Sequence, residues 1–417
     1  KLLLKIADAI EEQAEELAVT IATETGNALR TQARGETKGT VDVMRYFGGV
    51  AGELKGETMP IDNNQMAYTQ REPYGVIGGI IPWNAPVQLA ALKIAPAITA
   101  GNTVVLKAAE DAPLGVLKLA KICSEFLPAG VVNIITGYGA ECGAPLANHP
   151  TVRKLTFTGS TQTGKSIMQA AAERIIPISL ELGGKSPQIV YPDADNHKVI
   201  DNVISAMRFA RQGQSCSAGS RLYLHKSIFN SFVEKLVEKL KLLKVGDPLD
   251  EQTDMGSIIN EKQYKKVCAY IEEGINNPDA ELILGGLPQA EGPLSKGYFL
   301  EPTVFISNHD DWRLCKEEIF GPVLIIIPWE DEEEVIKLAN RSDYGLAAFI
   351  WTKDATRALQ TANKLEAGWV QINRGGGMMI GHSYGGYKQS GIGREYSLES
   401  MINSFTQTKS IIIDFNE

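Results

Sequence analysis

The chain has 417 residues, 44% hydrophobic and 22% charged, enough interior for two or more globular domains. Its formal net charge of −9 argues against a nucleic-acid partner, and no apolar run approaches the ~20 residues of a membrane helix. Five scattered cysteines, none in a C-x-x-C spacing, and five histidines without ligand spacing argue against a disulfide framework and a metal site, and fit a reducing, cytoplasmic setting.

Residues 1–53 read as helices, with apolar residues recurring at Leu3, Ile6, Ala7, Ile10, Ala14, Leu17 and Ala18. The first helix opens at Lys1 without lead-in or cap, so preceding residues are expected to be missing. Residues 54–73, "LKGETMPIDNNQMAYTQREP", read as a hairpin. From residue 75 the strands "GVIGGIIP", "NTVVLKA", "VVNIITG", "KLTFTG" and "IPISLELGG" are interleaved with helices over 86–100, 113–127 and 163–173. Apolar strands separated by helices predict a parallel sheet covered on both faces, an α/β fold. A second alternating region follows. Its helices are predicted over 198–211, 226–243, 260–275, 331–339 and 354–366. Its strands are predicted over 221–224 and at "VLIIIPW", "GLAAFIWT" and "WVQIN". The tail, 405–417, reads as an edge strand, ready to pair with another subunit.

Several turns carry chemistry. In "ARQGQSCSAGSR", Cys216 sits among amide and small residues that would be poor company in an apolar core. It reads as a nucleophile or as a small buried hydrophobe. Asn84, at the apex of "PWNAP", offers a non-titrating donor for an oxyanion, or is a turn residue. Glu181, beside apolar residues and before two glycines, reads as a general base of raised pKa or as an ion-pair partner. The turn Gly159-Ser160-Thr161-Gln162-Thr163-Gly164 lies between a strand and a helix, where it fits a pyrophosphate site or a tight turn. Lys107 and Glu110, at a strand end, fit a ribose contact or a solvated turn.

Together "PWNAP", "KAAE", "FTGSTQTG", "LELGGKSP", "QGQSCSAGSR", "EEIFGPV" and "YGGYKQSGIGRE" run in order from residue 82 to 395. The set resembles the NAD(P)-dependent aldehyde dehydrogenase superfamily, of the hydrolytic, non-CoA-acylating type. The resemblance implies a Rossmann-type cofactor domain over 1–53 and 74–183, its N-terminal part missing. It implies an α/β catalytic domain over 184–395. Oligomerisation elements at 54–73 and 405–417 would build a homodimer or homotetramer. Cys216 would be the nucleophile, Asn84 and the Cys216 backbone N–H the oxyanion hole, and Glu181 the base that activates the deacylating water. NAD, with NADP possible, would meet Pro82, Trp83, Lys107, Glu110, Gly159, Ser160, Gly164, Leu182, Glu318 and Phe320. The substrate would be a small-molecule aldehyde.

Some positions depart from the family pattern. Ala108 stands where proline is usual. Ala85 and Ala210 are small and, with Leu89, Leu92, Met378 and Tyr384, predict a wide apolar tunnel. That tunnel suits a bulky apolar or aromatic aldehyde rather than acetaldehyde or a charged semialdehyde. Three other readings stay open: a CoA-acylating relative, against which Glu181 speaks; a truncated, non-catalytic relative; and a thiol hydrolase, for which His225 is the nearest histidine along the chain.

Overall fold

The computed structural model describes residues 1–288 and 291–416; positions 289–290 of the predicted 184–395 segment, and Glu417 at the end of the predicted tail strand, lie outside the described residues. Two sheets organise the chain. The first has five parallel strands: β1 (Val76–Ile80), β2 (Thr103–Lys107), β3 (Val132–Ile135), β4 (Val152–Thr158) and β5 (Ile178–Glu181). Their order is 3-2-1-4-5, the doubly wound arrangement. The order reverses between β1 and β4, so the crevice beyond their carboxyl ends is where a ligand is expected. Helices Pro86–Thr99, Leu114–Phe126 and Thr161–Arg174 link these strands, near their predicted spans.

The second sheet contains β6 (Pro187–Val190), β7 (Arg221–His225), β8 (Ala280–Leu284), β9 (Thr303–Ser307), β10 (Val323–Trp329), β11 (Ala347–Trp351) and β12 (Trp369–Ile372), in the order 8-9-10-7-6-11-12. All neighbours are parallel except β8, which runs antiparallel on the edge. β10 and β11 are buried along nearly their whole length, which explains their unbroken apolar sequence.

The two sheets are stitched together late in the chain. Gly391–Ile392 pairs antiparallel with Leu180 and Glu181 of β5, so this part of the 184–395 segment joins the first sheet. A separate antiparallel sheet forms from Thr58–Pro60, Gln65–Pro73 and Thr406–Asp414. The hairpin is as the sequence predicts. The tail strand begins at Thr406, because Phe405 still closes the helix Leu398–Phe405. The predicted helix 198–211 also ends early, at Ala206. Arg208 (φ 60°) and Gln212 (φ 52°) take left-handed backbone there and bracket a short turn at Phe209–Arg211. That break bends the chain out of the helix and into the loop that carries Cys216. Among the described residues, no helix is long and apolar enough to cross a membrane.

Candidate active site

A cavity of about 870 Å³ opens where the doubly wound order predicts it. Asn84 reaches it from the turn after β1, Lys107 from the end of β2, Gly159 and Ser160 from the end of β4, and Glu181 from the last residue of β5. Cys216, Glu318 and Phe320 come from the second sheet's side. Residues far apart in sequence therefore share one space between the two sheets.

Close packing of glycines makes this possible. A Cβ on Gly183 would lie 2.6 Å from a Glu318 carboxylate oxygen, and one on Gly184 would collide with the Cys216 carbonyl. The Gly-Gly pair after Glu181 thus lets the Cys216 loop and Glu318 press against the end of β5. Glu318 Oε1 accepts from the Gly184 N–H at 2.9 Å. Burial raises its carboxyl to about 7, against the pull of that hydrogen bond.

The Cys216 Sγ lies 3.6 Å from the Tyr384 hydroxyl. Burial pushes the thiol up to about 11; the Tyr384 contact opposes this, and the Glu318 and Glu181 charges add to it. At rest it is therefore a protonated thiol. The Cys216 backbone N–H makes no hydrogen bond among the described residues. Asn84 is buried; its Nδ2 donates to the Gln214 carbonyl at 3.0 Å and its own carbonyl accepts from Asn27 Nδ2 at 3.1 Å. One Asn84 N–H is left for another acceptor.

Glu181 is buried, and its Oε2 has no hydrogen-bond partner among the described residues. Burial first, and the Glu395 charge second, raise its carboxyl well above the ordinary range; Lys93 and Arg394 pull the other way. Lys93 is fully buried and ion-paired with Glu395. Its place in the apolar run "LAALKIAPAIT" is a sequence signal for a buried partner.

At the other end, Ser160 caps the 14-residue helix Thr161–Arg174 by accepting from the Thr163 N–H. Lys107 donates to Glu110 at 2.8 Å and to the Ala108 carbonyl at 3.0 Å. Trp83 and Phe320 meet edge to face, ring centres 5.4 Å apart. Phe320 holds a positive φ of 60°, a strained backbone of the kind that clusters at ligand sites.

Of the residues singled out from sequence, Pro82, Trp83, Asn84, Ala85, Leu89, Lys107, Glu110, Gly159, Ser160, Glu181, Leu182, Cys216, Glu318, Phe320, Met378 and Tyr384 line the cavity. Three do not. Gly164 lies behind the wall, packed against Leu182. Leu92 turns into the hydrophobic core. Ala210 sits in the short turn that presents Arg211 to the cavity instead. Sequence reasoning missed Gln88, Arg211, Lys266 and Tyr396, which also line it. No histidine is among the lining residues described, which removes the partner a thiol hydrolase needs.

Comparison with known proteins gives a consistent result. The profile of the aldehyde dehydrogenase family matches residues 1–411. A hydroxyisobutyraldehyde dehydrogenase from Mycolicibacterium austroafricanum is 42% identical over 414 residues, 99% of this chain and 81% of that protein. The structure of the NAD+ complex of an aldehyde dehydrogenase from Bacillus cereus is 42% identical, with a TM-score of 0.96 over 100% of this chain and 83% of that one. PnpE from Pseudomonas sp. WBC-3, solved in complex with nicotinamide adenine dinucleotide, is 38% identical, with a TM-score of 0.96 over 100% of this chain and 85% of that one.

Proposed function

The chain belongs to the aldehyde dehydrogenase family, and from that premise we propose that it oxidises an aldehyde to the carboxylic acid through a thioester on Cys216, with NAD+ as the oxidant. The observation that carries this reading is the meeting of Cys216, Asn84 and Glu181 in one cavity with Gly159, Ser160, Glu318 and Phe320.

The part of the cavity lined by Lys107, Glu110, Gly159 and Ser160 suits a dinucleotide. The Gly159-Ser160 turn and the N-terminus of helix Thr161–Arg174 face it, where main-chain N–H groups and the helix dipole suit a pyrophosphate. The Thr158 hydroxyl is buried there without a partner among the described residues. Lys107 and Glu110 stand where an adenine ribose would bind, and Glu318 and Phe320 flank the nicotinamide end. When bound, NAD+ supplies the hydride acceptor.

The chain's own residues do the rest. The Cys216 sulfur adds to the aldehyde carbon, and the thiol proton passes to the Glu181 carboxylate. The Asn84 amide and the Cys216 N–H donate to the oxyanion so formed. The C–H bond then breaks with its electron pair leaving as hydride, and a C–S acyl bond remains. After Glu181 returns its proton to solvent, it accepts one from water as that water adds to the thioester carbonyl. The C–S bond breaks, the sulfur is reprotonated and the acid departs. Covalent capture splits one hard oxidation into two easier steps.

Glu181 also favours water over CoA as acyl acceptor. The open edge of the tail strand supports a homodimer or homotetramer, and the five free cysteines suit the cytoplasm. The test is NADH absorbance with an aldehyde and NAD+. Turnover should fall at least about 10³-fold in Cys216→Ala. Persistence in that variant, or an absolute need for CoA, would overturn the proposal.

A further inference from the structure

Among the cations of the cavity wall, Arg211 has no part in this chemistry. Arg211 lines the same space as Cys216, together with Gln88 and Tyr396. Its Nε donates to Gln32 Oε1 at 3.1 Å; among the described residues its terminal nitrogens have no hydrogen-bond partner. Three surface arginines behave otherwise: Arg34, Arg45 and Arg313 each engage two carboxylates.

The surroundings keep the Arg211 fork open. Glu36, the acidic neighbour, is buried; its Oε1 is engaged by the N–H groups of Val87 and Gln88 at the start of helix Pro86–Thr99, and its Oε2, although it feels the Arg211 charge, makes no hydrogen bond to Arg211 or to any other described residue. Arg208 spends both its terminal nitrogens on the carbonyls of Gly375 and Gly376. Its guanidinium is depressed to about 10, by burial first, then by the charge of Arg211, with Arg374 adding to the effect. Three guanidiniums therefore crowd the loop before Cys216, and Arg211 is the one that faces the cavity.

We propose that Arg211 grips a carboxylate at the far end of the aldehyde, so that the substrates are ω-oxo carboxylates. A guanidinium is planar and always charged, and its paired N–H groups match a carboxylate in a bidentate fashion. Gln88 adds an amide to the same wall. The inference rests on the proposed oxidation at Cys216. It runs against the expectation of a bulky apolar aldehyde, which counted Ala85, Leu89 and Met378 but not the guanidinium beside them.

The experiment compares matched pairs on the full chain: pentanal with glutarate semialdehyde, hexanal with adipate semialdehyde, and benzaldehyde with terephthalaldehydic acid. The carboxylate member should have kcat/KM at least about tenfold higher for the pair of fitting length, mainly through KM. The preference should shrink as salt is added. In Arg211→Gln the ratio should collapse toward one; in Arg211→Lys, which keeps charge but loses the fork, it should recover in part. A melting curve shows that each variant is folded. Pairs oxidised without preference, or a preference that survives in Arg211→Gln, would overturn this inference and leave the aldehyde reading standing. If no member of any pair is oxidised, both fall.

Discussion

Asn84 donates its side-chain amide to the main-chain carbonyl of Gln214, tying the turn after β1 to the loop that carries Cys216. This bond belongs to a buried set. Asn27 holds the Asn84 carbonyl, Gln214 Nε2 donates to Gln212 Oε1, Gln212 Nε2 donates to the Gly26 carbonyl, and the Ile259 N–H donates to Gln214 Oε1. The set returns to its start, since Gly26 and Asn27 are adjacent. The spacing between the amide and the sulfur is thus fixed largely through main-chain groups.

Removing one member should loosen the site without touching substrate. Asn27→Ala leaves the buried Asn84 carbonyl unsatisfied, which costs about 1–3 kcal/mol. We expect a lower unfolding midpoint and a kcat reduced by about tenfold, measured at saturating aldehyde and NAD+. A variant with native kcat would show that Asn84 holds its place without Asn27.

The base should reveal itself in a pH profile. The active form of Glu181 is the carboxylate, and its raised pKa means that this form is lost at a higher pH than for an ordinary glutamate. The acid limb of kcat should therefore fall well above ~4.3. Glu181→Gln should lower kcat by about 10²–10⁴-fold and abolish the limb. An acid limb in the ordinary glutamate range would contradict the role.

Cofactor choice should turn on Glu110. A carboxylate at an adenine ribose accepts from two hydroxyls and repels a 2′-phosphate. Glu110→Ser frees Lys107, now paired with it, to meet that phosphate. The ratio of kcat/KM for NADP over NAD should rise at least about tenfold. A ratio that stays fixed would move the ribose contact elsewhere.

Glu36 should make stability depend on pH. Burial raises its folded-state carboxyl to about 7, above the ~4.3 of the unfolded chain. Between those values the folded protein binds the extra proton, so stability falls as pH rises and levels off above about 7. The shift corresponds to on the order of 3 kcal/mol. Glu36→Gln keeps an acceptor for Val87 and Gln88 but does not ionise. Urea midpoints at about pH 5 and about pH 8 should show the variant gaining on the native protein at the higher pH. Parallel pH curves would remove Glu36 as the cause.

How much of this was legible in the sequence depended on burial. β10 and β11, covered on both faces, wrote themselves as apolar runs. β6 was missed because it is four residues long, opens on Pro187 and follows a Gly-Gly turn. β8 and β9 were missed because half-buried or hydroxyl-bearing positions break the run in each. The helix predicted over 198–211 was overrun because the left-handed residues that end it are Arg208 and Gln212, with no glycine before Gly213 to announce a break. Motif order located most of the cavity wall. It could not say which of Ala210 and Arg211 would face inward, since a one-residue rotation in a short turn decides that and leaves no periodic trace.

The pairing of Thr406–Asp414 with Gln65–Pro73 has a consequence for biosynthesis. The hairpin must wait, one flank unpaired, while the ribosome makes both large sheets. Its partner arrives only after them, so this zippering belongs among the slow, non-local steps of assembly. Until then the waiting strand is a sticky template that chaperone cover would shield.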